Sequence, residues 1–291
     1  VAREIALLTN PSAGKGRAAA VAGTVLPMLR EAGHVVRNLS GRTVDEASEL
    51  ARQCVADGVD SLVVVGGDGI VHLAVQALAG SHTRLGLVPA GTGNDVARYL
   101  GLPRDDPRAA VAAIAGGREW VVDLARAGST YFVTVLCAGF DAVVSERANR
   151  MRWPRGQMRY NLATVRELST FRPLSYVLDV DGEEQRFDAM MVSVGNGPSF
   201  GGGLRIAEGA LLDDGLLDVV VIGPMSRPEL VRTYPKLFTG SHVHHPGFRR
   251  VLAKRITIAS AGVTAYADGE RLGPLPLTVE VAPAALRVLV P

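Results

Sequence analysis

The sequence predicts two halves: an α/β domain with a parallel sheet over residues 1–122 and a mostly antiparallel β-sandwich over 123–283, with a last strand at about 284–291 returning to the first half. Three observations carry this prediction. Apolar runs at 5–8 (IALL) and 62–65 (LVVV) each end in a glycine-bearing loop followed by a helix-compatible stretch, as buried parallel strands do. Strand and helix patterns alternate through the first half. Beyond residue 122 the runs shorten and alternate, and the dipeptides Asp181-Gly182 and Asp268-Gly269 supply the positive-φ positions of tight hairpins.

In order, the first half reads as the strand at 5–8, a helix over 17–31 that Pro27 should kink or shorten, a short strand at 34–39 and a helix at 44–56. The strand at 62–65, an apolar helix at 71–78, a strand at 85–88 and a loop at 89–93 leading into another helix follow. In the second half, strands are expected at 131–137, 175–180, 190–194, 217–222 and 255–259, with one helical interruption at 158–169. There is no internal repeat and no run rich in Pro, Gly and Ser between the halves, which predicts domains packed around a shared cleft.

Composition narrows the function. A hydrophobic content of 47% in 291 residues fills two cores. A net charge of +2 excludes the global footprint of a nucleic-acid binder, so any anionic partner must meet a local patch. Cys54 and Cys137 lie far apart in apolar stretches without CxxC spacing, which predicts buried thiols rather than a zinc site or a disulfide. No signal-peptide pattern and no apolar run of the ~20 residues that a spanning helix needs is found, so a cytoplasmic protein without a transmembrane segment is expected.

Three loops carry candidate chemistry. Asn10, Pro11, Ser12, Ala13, Gly14, Lys15 and Gly16 follow the first strand, where amides and a helix N-terminus can converge on an anion; an ordinary strand-to-helix turn is the alternative. The spacing is not GxxxxGK[ST], which excludes a Walker-type site, and not GxGxxG, which argues against a dinucleotide fold. Gly66, Gly67 and Gly69 surround Asp68 at a strand end, so backbone can approach a ligand beside an acid that can hold a metal; a helix cap explains the acid but not the glycines. Gly91-Thr92-Gly93-Asn94-Asp95 offers hydroxyl, amide and carboxylate groups at the same sheet edge, and three such loops in succession predict a nucleotide site. His242, His244 and His245 read as a polar surface loop rather than a metal site. No serine shows the GxSxG elbow of a hydrolase.

As a set, NPSAGKG (10–16), GGDG (66–69) and GTGND (91–95) resemble the NPxSG, GGDGT and GTxND motifs of the diacylglycerol/sphingosine-type lipid kinase family, in its bacterial diacylglycerol kinase form. The similarity spans nearly the whole chain: LLDDGL at 211–216 and Asp268-Gly269-Glu270 match the family's DDG and DGE segments. The resemblance implies an NAD-kinase/phosphofructokinase-like first domain and an ATP- and Mg²⁺-dependent enzyme that phosphorylates a lipid hydroxyl. It implies Glu270 as general base and Asp68 as the acid linked to the ATP-bound Mg²⁺. Asn10, Pro11, Ser12, Ala13, Gly14, Lys15, Gly66, Gly67, Gly69, Thr92, Asn94 and Asp95 would bind ATP, and Asp214 with the carbonyls of Leu211 and Leu216 would form a second, structural Mg²⁺ site. Taken without the resemblance, residues 268–270 are a hairpin turn and 211–216 a capped turn between strands.

Two positions depart from the family pattern: Ile70 replaces the Thr after GGDG, and Gly41 falls about where many members carry a nucleotide-contacting Thr, a role Thr43 can take over. The acceptor stays open among diacylglycerol, monoacylglycerol, a sphingoid base, phosphatidylglycerol and a glycolipid, with diacylglycerol going to phosphatidic acid the leading reading. A kinase of a soluble substrate, related to NAD kinases, and a catalytically silent lipid-binding module are the alternatives. Residues 147–159 hold Arg147, Arg150, Arg152, Arg155 and Arg159 around Met151, Trp153 and Met158, which suits peripheral attachment to a membrane surface or, equally, a solvated loop with Trp153 packed inward. Edge strands of the β domain leave a homodimer open.

Overall fold

The computed structural model describes residues 2–10, 16–104, 106–151, 153, 157–168 and 172–291. The chain forms two compact units, residues 1–124 with 283–291, and residues 125–282.

The first unit is built on four parallel strands, β1 (Glu4–Thr9), β2 (Val35–Ser40), β3 (Ser61–Gly66) and β4 (Arg84–Pro89), in the order β2-β1-β3-β4. β3 is buried along its whole length, which is why its sequence is continuously apolar rather than alternating. Among the described residues, five helices connect and cover the strands: α1 (Arg17–Glu31), α2 (Val44–Ala56), α3 (Asp68–Leu78), α4 (Asp95–Tyr99) and α5 (Pro107–Gly116). α1 buries Ala18, Ala22, Val25 and Leu29 in a core with Ile5, Leu7, Val63, Val65 and Val88. That stripe carries the helix through Pro27 to Glu31, so the expected shortening does not occur; packing outweighs the ~3 kcal/mol that an interior proline costs. α5 starts on Asp106, whose carboxylate accepts the Arg108 and Ala109 amides, and stops at Gly117 in the left-handed conformation. β5 (Arg118–Ala127) leads out of this unit.

The second unit is a sandwich. Its strands are β6 (Thr130–Phe132), β7 (Val135–Gly139), β8 (Leu174–Val180), β9 (Glu183–Ala189), β10 (Met191–Gly195), β11 (Leu217–Ile222), β12 (Phe248–Ala253), β13 (Arg255–Ala259), β14 (Thr264–Ala267), β15 (Glu270–Pro274) and the start of β16 (Leu277–Val290). One sheet runs β12-β11-β10-β7-β14-β15, all antiparallel, and the other side is formed by β16, β13, β8 and β9. Leu136, Val192, Val194, Leu217 and Val219 from the first sheet meet Tyr176, Leu178, Ile256, Ile258 and Val279 from the second in one core. Among the described residues three α-helices are added, α6 (Phe140–Arg150), α7 (Gln157–Leu168) and α8 (Arg227–Thr233). The end of β16 belongs to the first unit, where Val288 pairs with Leu85 of β4.

Both predicted hairpin turns are present, with positive φ at Asp181 and Gly182 and at Asp268 and Gly269. Three expectations need correction. The strand expected at 131–137 is two strands, because the amides of Val133 and Thr134 donate to the Asp268 carboxylate (3.0 and 2.9 Å) instead of continuing a ladder. The helical interruption is a pair, α6 and α7, rather than one helix. The histidine segment is a surface loop only in part: His244 is exposed, but His242 is fully buried, its Nε2 is 3.1 Å from the Ile206 carbonyl, and its ring stands edge-on to Phe248. Both cysteines are buried and neither forms a disulfide.

Candidate active site

In the first unit, the ends of β3 and β4 deliver two of the three candidate loops side by side. The Ala90 amide donates to the Gly66 carbonyl (2.8 Å), which ties the strand ends together. Just beyond, Gly67 and Gly91 touch back to back: a Cβ on Gly91 would stand 2.4 Å from Gly67 Cα and 2.7 Å from Asn94 Oδ1. Glycine is required there for close approach of two backbones rather than for an unusual φ. Asn94 is buried in the left-handed conformation and closes its own loop, accepting the Gly91 amide (3.1 Å) and donating to the Gly91 carbonyl (2.9 Å).

Asp68 is the first residue of α3, with Gly67 as its N-cap, so the helix starts before the predicted residue 71. Its Oδ1 accepts the amide of Val96 (3.3 Å), joining the GGDG loop to the first turn of α4. Asp95 opens α4, is buried, and pairs with Arg98 at 2.5 Å, while Arg98 also reaches the Gly93 carbonyl (3.2 Å). Behind it Tyr99 stacks on Trp120, with ring centroids 6.0 Å apart. Asn10 is half-buried at the end of β1, and Gly69 and Thr92 are exposed. Pro11, Ser12, Ala13, Gly14 and Lys15 lie outside the described residues.

The two departures from the family pattern have structural causes. Ile70 is buried beneath the loop, where its Cγ2 would be 2.8 Å from a Cβ on Gly66. Gly41 packs so tightly on α2 that a Cβ would meet Ala47 Cβ at 2.5 Å, and Thr43 accepts the Glu46 amide as the cap of that helix.

In the second unit, Asp268 and Glu270 divide the labour of their turn. Asp268 accepts the amides of Val133 and Thr134 and the Thr134 hydroxyl (2.6 Å), so it is committed to holding the hairpin. Glu270, the first residue of β15, is exposed to solvent. In the 211–216 turn, the Asp214 carboxylate accepts the Leu216 amide (3.0 Å), with Gly215 at φ 74° and Leu211 exposed. Among the described residues no three His, Cys, Asp or Glu side chains cluster as a metal site; the Asp214 carboxylate with the carbonyls of Leu211 and Leu216 is an all-oxygen donor set, a chemistry that suits a hard cation.

Two neighbours of the candidate site residues escaped the sequence. Arg98 braces Asp95 and the Gly93 carbonyl; the Asp-x-x-Arg spacing of a helical pair was the available signal. Asp218, at the start of β11, is buried and paired with Arg250; burial pushes its carboxyl up, Arg250 opposes this, and nearby Asp214 adds to it. No local pattern announces that pair. Trp153 is exposed, which removes the inward-packed alternative; the placement of Arg152 and Arg155 and the side chain of Arg159 lie outside the described residues.

Comparison with known proteins assigns the architecture. Residues 4–127 match the diacylglycerol kinase catalytic domain and residues 134–290 the YegS C-terminal NAD kinase beta sandwich-like domain. A diacylglycerol kinase of Mycobacterium tuberculosis (strain ATCC 25618 / H37Rv) is 41% identical over 294 residues, covering 99% of this chain and 95% of that protein. The chain belongs to the diacylglycerol kinase family. Other family relatives are more distant: a diacylglycerol kinase of Bacillus subtilis (strain 168) at 26% (93% of this chain, 90% of that one) and a probable lipid kinase YegS-like protein of Klebsiella pneumoniae (strain 342) at 29% (91% and 92%). The crystal structure of a putative diacylglycerol kinase from Bacillus anthracis str. Sterne shares the fold with a TM-score of 0.82 at 24% identity, covering 99% of this chain and 97% of that one. Membership makes this family chain a lipid kinase, a transferase whose family implies ATP as co-substrate.

Proposed function

We propose that this lipid kinase transfers the γ-phosphoryl group of ATP to the hydroxyl of diacylglycerol, giving phosphatidic acid and ADP. The observation that carries the nucleotide part is the back-to-back contact of Gly67 and Gly91 with Asp68 bridging to α4, since two backbones free of side chains beside an acid suit a polyphosphate. The 41% identity to a diacylglycerol kinase supports the choice of acceptor.

In this reading the first unit, with Asn10, Pro11, Ser12, Ala13, Gly14, Lys15, Gly66, Gly67, Gly69, Thr92, Asn94 and Asp95, orients the phosphates, and the second unit receives the lipid. The acceptor oxygen forms its bond to the γ-phosphorus as the bond to the β-bridging oxygen breaks and ADP leaves. Glu270 accepts the hydroxyl proton; its exposed carboxylate suits that task, which typically contributes 10²–10⁴-fold. Asp68 would link to the ATP-bound Mg²⁺, whose contribution is to neutralise phosphate charge, and Asp214 with the Leu211 and Leu216 carbonyls would hold a second, structural Mg²⁺. Because the acyl chains keep the acceptor in a bilayer, the enzyme works at the cytoplasmic membrane surface.

The experiment is label transfer from γ-labelled ATP in the presence of Mg²⁺ to a panel of dispersed lipids and soluble alcohols. Labelled phosphatidic acid is expected. Label appearing on a soluble acceptor such as NAD, with none on any lipid, would overturn the proposal.

A further inference from the structure

We propose that Asn196 is a positioning residue for the transfer step: it holds residues 133–134 in place for Asp268 and so sets where the Glu270 carboxylate stands, an inference that rests on the reading of Glu270 as the base and names what fixes it. Residues 133 and 134 fill the gap between β6 and β7, yet all four of their backbone polar groups are paired. The two amides donate to the Asp268 carboxylate. The two carbonyls are served from 196–197: Thr134 accepts the amides of Asn196 (2.8 Å) and Gly197 (2.9 Å), and Val133 accepts the Asn196 side-chain amide (2.9 Å). With both main-chain amides committed to Thr134, the donor for Val133 comes from a side chain, and asparagine carries an N–H donor on a single methylene. Asn196 is 1% exposed and Val133 is buried with it, so loss of that donor strands a carbonyl away from water.

Asn196 is itself held firmly. It leaves the end of β10, which lies between β7 and β11 inside the sheet. A Cβ on the preceding Gly195 would stand 2.5 Å from Ala207 Cβ and 3.0 Å from the Gly197 carbonyl oxygen, so this strand end is packed without slack. Glu270, by contrast, sits at an edge. Among the described residues β15 is bordered by β14 alone, and Glu270 lies opposite Ala267 across a turn made by Asp268 and Gly269. The bonds that Asp268 accepts from 133–134 tie that turn to the middle of the sheet, and Asn196 anchors 133–134 from the other side. The whole chain of contacts lies within the second unit. Its consequence is kinetic as well as structural: a base displaced by about 1 Å loses on the order of 10²-fold in rate, while the loops assigned to ATP in the first unit are untouched.

The test measures kcat and KM for ATP on diacylglycerol, and amide hydrogen exchange, for the full chain below the thermal midpoint of each variant. The variants are Asn196→Ala and Thr134→Val, the second removing only the 2.6 Å bond from the Thr134 hydroxyl to Asp268, each made in the wild-type and the Glu270→Gln background. Asn196→Ala should lower kcat by about 10- to 100-fold with KM for ATP within about twofold, and should speed exchange at 268–270 while leaving β3 unchanged. Thr134→Val should do the same on a smaller scale. Once Glu270 is replaced, Asn196→Ala should add less than about threefold, because the group it positions is gone. The same fold-loss in both backgrounds, a raised KM for ATP with kcat unchanged, or unaltered exchange at 268–270 would each overturn the proposal. Should Asn196→Ala not fold, Thr134→Val decides, and normal kcat with unaltered exchange at 268–270 in that variant overturns it. Faster hairpin exchange in a protein whose Glu270→Gln variant turns over near the wild-type rate supports the hold of Asn196 on the hairpin and defeats the base assignment instead.

Discussion

Gly91→Ala probes the contact on which the proposed nucleotide site is built. The backbone at 91 is not left-handed, so alanine brings no conformational strain, and the whole effect is steric. The new methyl would lie 2.4 Å from Gly67 Cα, 2.7 Å from Asn94 Oδ1 and 3.0 Å from the Gly67 nitrogen, so the two loops must separate by about 1 Å to reach ordinary contact. Overpacking of this kind costs about 1–3 kcal/mol, or roughly 2–4 °C of thermal midpoint per kcal/mol. A displacement of 1 Å at a positioned phosphate costs on the order of 10²-fold in rate. Steady-state kinetics in ATP, alongside thermal melts, separates the two consequences. The expected result is a loss of kcat/KM for ATP on the order of 10²-fold with a modest fall in Tm. Gly116→Ala, where nothing lies within 4 Å, serves as the steric control and should leave kcat/KM unchanged without lowering Tm. A lowered Tm with kcat/KM unchanged would mean that the Gly67–Gly91 contact is only structural.

Three further outcomes follow from other parts of the molecule. Asp268→Asn weakens three hydrogen bonds to residues 133 and 134 and should cost about 1–3 kcal/mol in chemical denaturation, with a fall in kcat because Glu270 shares the hairpin; unchanged stability would contradict the anchoring role. His242 is buried with its pKa lowered, chiefly by desolvation, so the neutral ring is favoured in the folded state; stability is present above the unfolded value near 6.5 and falls as pH drops below it toward the folded value. Melts of His242→Gln and wild type between neutral pH and pH ~5 should therefore diverge, the wild type being the more acid-sensitive, and parallel curves would count against the burial argument. Gly23 sits inside α1 with open space where a Cβ would be, so Gly23→Ala should raise stability by about 0.5–1 kcal/mol, and a lowered Tm would refute that reading of the helix.

What the sequence made legible was local. A strand covered on both faces, such as 62–65, needs an apolar residue at every position, and Asp-Gly at 181–182 and 268–269 answers the turn's demand for two positive φ values. The close approach of the loops at 66–69 and 91–95, proposed to hold the nucleotide, was readable for the same reason: it leaves glycine as its mark. What was missed depends on partners distant in the chain. The break between β6 and β7 is made by Asp268, more than 130 residues away, and the burial of His242 depends on the Ile206 carbonyl and Phe248. β9 carries Glu183, Glu184 and Arg186 on an exposed edge, where charge guards against strand addition and erases the alternation that marks a strand. The Asp95–Arg98 pair was readable from its i,i+3 spacing, but the reach of Arg98 to the Gly93 carbonyl depends on the folded loop.

The most direct test of phosphoryl transfer with Glu270 as base and Asp68 at the metal-bound phosphates is the rate of label transfer from ATP to diacylglycerol by Glu270→Gln and Asp68→Asn. Both substitutions are expected to leave the fold intact, since Glu270 is exposed and an asparagine at 68 keeps an oxygen for the Val96 amide. The account predicts losses of at least ~10²-fold for each with Tm preserved. Rates near wild type in either folded variant would contradict it.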